Sequence, residues 1–229
     1  MTNDGVHGKI NNSVFYRGVI YLPKPFINDA TDRLMECAKA EFLKKGYQDA
    51  SLRLIAADAG VSTYTLYSRF RDKASLFAAV VQPAIEKYVN TFAEEMDLFN
   101  HTCPNLPYDE MTQYMLNRIH VLVDVIYDDF DTFYVLATNT ESMEYENFIH
   151  QLGDIQTRQS VRYFDTIEND EMLSIQISPE LLHLTYTAQF SGMFEVVRHN
   201  MSKERGLEYF TKLQSFFFAG YRALMGFDS

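Results

Sequence analysis

From about position 28 onward, apolar residues recur at three- and four-residue steps, the spacing of helices rather than strands. Leu34, Cys37, Ala38, Phe42 and Leu43 form one stripe, with Asn28 or Thr31 placed to cap its start and Gly46 its end. Tyr47 then turns back toward the core. Ser51 suits the cap of a second, short helix whose Leu52, Ile55, Ala56 and Ala59 face inward. Gly60 ends it, Val61 plugs the turn, and a third helix starts at Ser62 or Thr63 and runs to about Phe70. Asp72 caps a fourth, with Leu76, Phe77, Val80 and Val81 packed beneath. The pattern then predicts long helices over about 72–99, 108–128, 130–150, 151–168, 179–201 and 203–225, with breaks at 100–107, at Asp129, near Gly153 and before Pro179. The expected fold class is all-α: a three-helix head and a larger helical domain.

Residues 1–27 do not share this periodicity. Val14-Phe15-Tyr16 and Val19-Ile20-Tyr21-Leu22 could be short strands, but Pro23 and Pro25 stop them. A flexible arm is expected, with contact to DNA through Arg17 and Lys24 as the lesser alternative. The expected domains are this arm, a head over 28–75 and a body over 76–229.

The net charge of -11 argues against a nucleic-acid partner until it is divided along the chain. Residues 1–75 hold 11 Lys and Arg against 8 Asp and Glu, whereas residues 76–229 hold 9 against 23. The head is therefore mildly basic and the body strongly acidic. Glu94-Glu95, Asp128-Asp129 and Asp170-Glu171 read as solvated faces or loop edges. No apolar run approaches the roughly 20 residues of a membrane helix, and the first 25 residues lack the apolar stretch of a signal peptide. The two cysteines, Cys37 and Cys103, form neither a metal cluster nor a disulfide framework. A soluble cytoplasmic protein is expected.

The segment 51–70 has the residue types of a helix-turn-helix. Small Ala56 and Ala59 let two helices cross closely, and Gly60 can take a positive φ in the turn. Val61, Leu66 and Phe70 anchor the second helix, leaving Thr63, Tyr64, Thr65, Tyr67, Ser68 and Arg69 on exposed positions or edges. A plain helical hairpin would show the same spacing. The wider pattern resembles the DNA-binding domain of TetR-family transcriptional regulators: Ala38, Phe42, Gly46-Tyr47, Ser51, Ile55-Ala56, Ala59-Gly60-Val61-Ser62, Thr65-Leu66-Tyr67, Phe70, Lys73 and Leu76-Phe77. It covers about residues 30–80.

That resemblance implies phosphate contacts for Tyr67, Lys73 and Ser51, and base reading by Arg53 and by Thr63, Tyr64 and Thr65 in the leading turn of the recognition helix, with Ser62 and Ser68 as further DNA-binding positions. Arg69 lies late in that helix, where a phosphate is the better partner. It also implies a homodimer on an inverted-repeat operator in double-stranded DNA, a repressor released by a small-molecule effector (an activator is equally compatible with the sequence), and a pocket in the helical body. Tyr88, Phe92, Met96, Met111, Met115, Phe148 and Phe190 are the pocket candidates, and such residues suit an apolar or aromatic effector. The last two helices carry apolar groups on several faces, so Phe190, Phe194, Phe217, Tyr221 and Leu224 are candidates for a dimer interface. Arg118, Arg158 and Arg162 are expected to pair with carboxylates rather than with a ligand.

No catalytic motif is visible: no Gly-rich phosphate loop, no nucleophile elbow and no His or Cys spacing for a metal. An enzyme, a cofactor and a metal site are therefore not expected. The alternative to a DNA-binding regulator is a ligand-binding or assembly module whose head no longer binds DNA.

Overall fold

The computed structural model describes residues 30–103, 106–166 and 177–224, so the N-terminal arm and Asn28 lie outside the described residues. All regular structure among them is helical: α1 (Ala30–Asp49), α2 (Leu52–Asp58), α3 (Thr63–Arg69), α4 (Lys73–Thr102), α5 (Tyr108–Asp128), α6 (Phe130–Ala137), α7 (Met143–Thr166), α8 (Pro179–Arg198) and α9 (Lys203–Leu224).

The head forms as its local signals predict. The helical geometry of α1 breaks at Gly46 (φ 74°), and Thr31 lies in its first turn rather than at a cap. Ser51 caps α2 by accepting from Leu54 N, and Ser62 caps α3 by accepting from Thr65 N at 3.1 Å. Gly60 stands between the two at φ 67°, a left-handed conformation in which a Cβ would be strained. Val61 N then donates to Ala56 O at 2.9 Å, closing the turn. Leu34, Ala38, Ile55, Ala56, Leu66 and Leu76 are fully buried at the centre. Phe77 meets Phe42 and Tyr47 edge-on, at ring-centre distances of 5.5 and 5.1 Å.

α4 continues from this core into the body. Asp72 and Ser75 close a reciprocal capping box at its start, and Pro83 stands on an exposed position inside it. The expected head–body boundary at residues 75 and 76 therefore falls within the first turn of one continuous helix. Below Pro83, Tyr88 meets Phe133, Phe148 and Phe194 edge-on at ring distances of 5.6–5.8 Å. This aromatic cluster joins α4, α6, α7 and α8, and the hydrophobic core runs without interruption from Leu34 to Tyr221.

Two readings of the sequence need correction. The break expected near Gly153 lies instead at 138–142. Thr138 turns its hydroxyl onto Tyr134 O at 2.7 Å at the end of α6, and Ser142 Oγ accepts from Tyr145 N at 3.1 Å to start α7. Gly153 is buried inside α7 because α8 passes close to it: a Cβ there would stand 2.8 Å from Thr187 Oγ1. The glycine marks close approach, not a stop.

Asp128 and Asp129 are also more than a solvated edge. They sit where α5 meets α6, and Asp129 accepts from Lys39 of the head at 2.5 Å while Asp128 accepts from Lys87 of α4 at 3.0 Å. Burial alone would raise the Asp129 carboxyl. Hydrogen bonds from Lys39 and Thr132 outweigh it and hold the group below the ordinary aspartate range.

Gly60→Ala should cost about 1–2 kcal/mol of stability, the penalty for forcing a Cβ into the left-handed region, read from the midpoint of urea unfolding. The lowered Asp129 pKa means that its contribution is present at neutral pH and fades as pH falls through the folded-state value. Asp129→Asn should therefore flatten the acid side of the stability profile, and a half-exposed pair should change neutral-pH stability by no more than about 1 kcal/mol. An unchanged acid limb in thermal melts would count against this role.

Candidate DNA-binding face and ligand cavity

Four side chains fix the head's helices: three hold α2 and α3 against α1, and the fourth ties the start of α4 to the end of α1. Arg33 Nε donates to Ala59 O at 3.2 Å, on the last residue before the turn glycine. The buried Glu41 carboxylate accepts from Ser51 N at 3.2 Å, holding the residue that caps α2. Arg69 Nε donates to Thr31 Oγ1 at 2.7 Å, tying the end of α3 to the start of α1. Lys73 Nζ donates to Gln48 O and Ala50 O at 2.8 and 3.0 Å and lies 5.0 Å from the Tyr47 ring centre.

With the frame held this way, α3 presents one polar face. Thr63, Tyr64, Tyr67 and Ser68 are exposed, Tyr64 at 82% and Tyr67 at 54%. Ser51, Arg53 and Ser62 are exposed as well, Thr65 is half-buried, and Leu66 points inward with no exposure. Several hydroxyls already serve the backbone. Ser62 Oγ accepts from Thr65 N and lies 2.9 Å from Thr65 Oγ1, while Ser68 donates to Thr65 O at 2.8 Å. Thr63, Tyr64 and Tyr67 are the residues of α3 that face outward without such duties. Arg71, which the sequence reading passed over, follows α3 with its side chain 93% exposed and contacts only Asp72, at 3.4 Å. Its signal was simply a basic residue just beyond the recognition helix.

The body encloses a cavity of two lobes. Both lobes are partly open to solvent. They share Met96, Met115, Gln156, Gln189 and Gln214, so they adjoin across these residues between α4, α5, α7, α8 and α9. Of the seven residues expected to line a pocket, Met96 and Met115 line both lobes, Met111 the first, and Tyr88, Phe92 and Phe190 the second. Phe148 lines neither lobe: it is 1% exposed and packs edge-on against Tyr88 and Phe194.

The polar part of the lining is what the sequence reading missed. Tyr221 donates to Gln189 Oε1, and Gln189 Nε2 donates to Gln214 Oε1, both at 2.8 Å. Tyr186 and Ser160 hydroxyls are 2.8 Å apart, and Asn100 Nδ2 donates to Gln159 Oε1 at 2.6 Å. Burial pushes the Tyr186 phenol up to about 12 and also raises Tyr108, Tyr163 and Tyr221, so these phenols stay protonated at neutral pH. Arg118 is held by Glu95 through two bonds of 2.5 and 2.7 Å, and Arg162 lies 3.7 Å from Asp97.

The expected dimer contacts divide. Phe190, Phe194 and Tyr221 point into their own subunit, at 3%, 0% and 4% exposure, so they cannot also face a partner. Phe190 meets Phe92, Phe194 joins the Tyr88 cluster, and Tyr221 holds Gln189. Leu224 is exposed and Phe217 half-buried. Leu181, Leu184, Tyr209 and Phe216 join Leu224 as the outward apolar residues of α8 and α9.

Residues 34–80 match the family described as bacterial regulatory proteins, tetR family. The chain matches no curated protein sequence. Solved structures with a similar fold include FadR from Bacillus subtilis in complex with stearoyl-CoA, at 10% identity over 82% of this chain and 98% of that one, with a TM-score of 0.59. A protein described as a TetR-family transcriptional regulator from Syntrophomonas wolfei aligns at 15% identity over 83% and 95%, with a TM-score of 0.57. Another from Mesorhizobium loti aligns at 19% identity over 83% and 95%, with a TM-score of 0.53. Residues 34–80 thus carry the helix-turn-helix of the tetR family of bacterial regulatory proteins, and the chain as a whole shares its fold with solved structures described as TetR-family transcriptional regulators.

Proposed function

We propose that the chain is a homodimeric repressor that binds an inverted-repeat operator and leaves it when a small molecule enters the body cavity. The observation that carries this reading is the outward face of α3, where Thr63, Tyr64 and Tyr67 stand free on a helix whose underside is locked into the head. A face so arranged fits the major groove with its leading residues at the base edges. Ser51, Arg53, Ser62, Thr65, Ser68, Arg69 and Lys73 surround it, and Arg71 adds an exposed positive charge. The acidic body repels DNA, which favours approach by the head alone.

One head reads too few base pairs for a unique site, so a two-fold pair with half-sites about 34 Å apart is the fitting assembly. Leu184 and Phe216, 65% and 70% exposed, lie on helices α8 and α9 and suit a self-complementary four-helix contact. Release follows if the ligand binds more tightly to a subunit arrangement that does not match the operator. Met96 places α4 in the cavity wall, and the same helix carries Phe77 in the head core. The stearoyl-CoA held by the Bacillus subtilis FadR structure supports a ligand role for a body of this fold. No catalytic role is assigned to the chain, and among the described residues no helix is long and apolar enough to cross a membrane.

Selection of genomic fragments by the purified protein at two salt concentrations tests the reading. A recovered palindrome with steep salt dependence is expected; no enrichment even at low salt would favour a module that has lost DNA binding. On a recovered site, Tyr64→Ala should relax specificity at one base pair by about 1–3 kcal/mol. Arg71→Ala should weaken all sequences alike and make the salt slope shallower by about one unit. It is a cleaner probe than Lys73→Ala, because losing Lys73 also strips two carbonyls of their donor. Phe216→Asp should yield monomers in sedimentation and abolish palindrome binding; an intact dimer would move the interface elsewhere.

A further inference from the structure

The cavity's lining constrains the charge of what can occupy it. Among the described residues, none lining the first lobe carries a charge: its polar groups are amides, phenols and one serine hydroxyl. The second lobe holds one cation, Arg118, already neutralised by the two-bond grip of Glu95. Among the described lining residues, a carboxylate or phosphate entering such a site gives up hydration and meets no unpaired cation, and an ammonium group meets no carboxylate outside the Glu95 pair.

Several polar groups on the same walls remain unused by the protein itself. The buried Oδ1 of Asn100 has no hydrogen-bond partner. Gln214 accepts from Gln189, but among the described residues its own amide nitrogen has no acceptor. Gln156 lines both lobes and makes no side-chain hydrogen bond among them. These are one acceptor, one donor group and one group that can do either, set among methionine and aromatic surfaces.

We infer that the cavity takes an uncharged ligand with an aromatic body and a carboxamide-like group that both donates and accepts hydrogen bonds. This rests on the reading of the body as a ligand domain and names the ligand's chemistry within it. The neutral phenols keep the selectivity constant across the physiological pH range. The Tyr221–Gln189–Gln214 chain positions the Gln214 amide, so the donor is held in place before the ligand arrives.

The test uses three probes of equal shape: 2-naphthamide, 2-naphthoate and 2-naphthylmethylammonium. Each is titrated calorimetrically into the full chain at pH 7 without DNA. The neutral amide should bind at least tenfold more tightly than either ion, and Gln156→Leu should weaken it about fivefold or more with the helical spectrum unchanged. Gln156→Lys should turn the preference toward naphthoate. Binding of either ion within tenfold of the amide, or no binding of the amide up to its solubility limit, overturns the inference. Because these titrations contain no DNA, their failure is separate from that of the regulator reading, which the fragment selection decides.

Discussion

α4 supplies buried side chains to both halves of the molecule, and neither half has a complete core without it. Leu76 and Phe77 close the head, while Tyr88, Phe92 and Met96 reach the centre of the body and the cavity wall. Over 30 residues the helix spans about 45 Å, so the head's position follows from how the body grips its lower part. Aromatic contacts such as those of Tyr88 contribute about 0.5–1.5 kcal/mol each beyond simple burial. The Lys39–Asp129 and Lys87–Asp128 pairs are half-exposed and worth less. Packing therefore sets the attachment, and of the two pairs only Lys39–Asp129 ties the head to the body.

The head was legible in the sequence because its determinants are local. Ser51 and Ser62 cap helices that begin at the next residue, and Gly60 meets the stereochemical demand of its own turn. The body's determinants are not local. Gly153 reads as a breaker until α8 is seen to press against it, whereas the polar run at 138–142 makes the actual break. Helices apolar on several faces reveal that they are buried, but not against what. For that reason Phe190, Phe194 and Tyr221 were legible as interface residues when they in fact serve their own subunit's core.

The cavity shows the same limit more sharply. Its methionines and most of its aromatic residues stood out along the chain, but the amides that give it polarity did not. Asn100, Gln156, Gln189 and Gln214 come from four helices and look like ordinary surface residues when each is read in its own helix. Only the packing of α4, α7, α8 and α9 brings them together. The pairing of Arg118 with a carboxylate could be anticipated from the body's acidity, since a cation there has many partners to choose from.

Pro83 gives α4 a mechanical property its neighbours lack. A proline inside a helix withholds one rung of the backbone ladder and crowds the carbonyl four residues earlier. Bending stiffness is therefore lowest there, between Phe77 on one side and Tyr88 on the other. A small tilt imposed on the lower segment need not be carried uniformly along the rod; it can concentrate at this compliant point. With a lever of about 15 Å from Pro83 to the start of the helix, an angular change of about 10° displaces the upper end, and the head core built on Leu76 and Phe77, by about 2.6 Å.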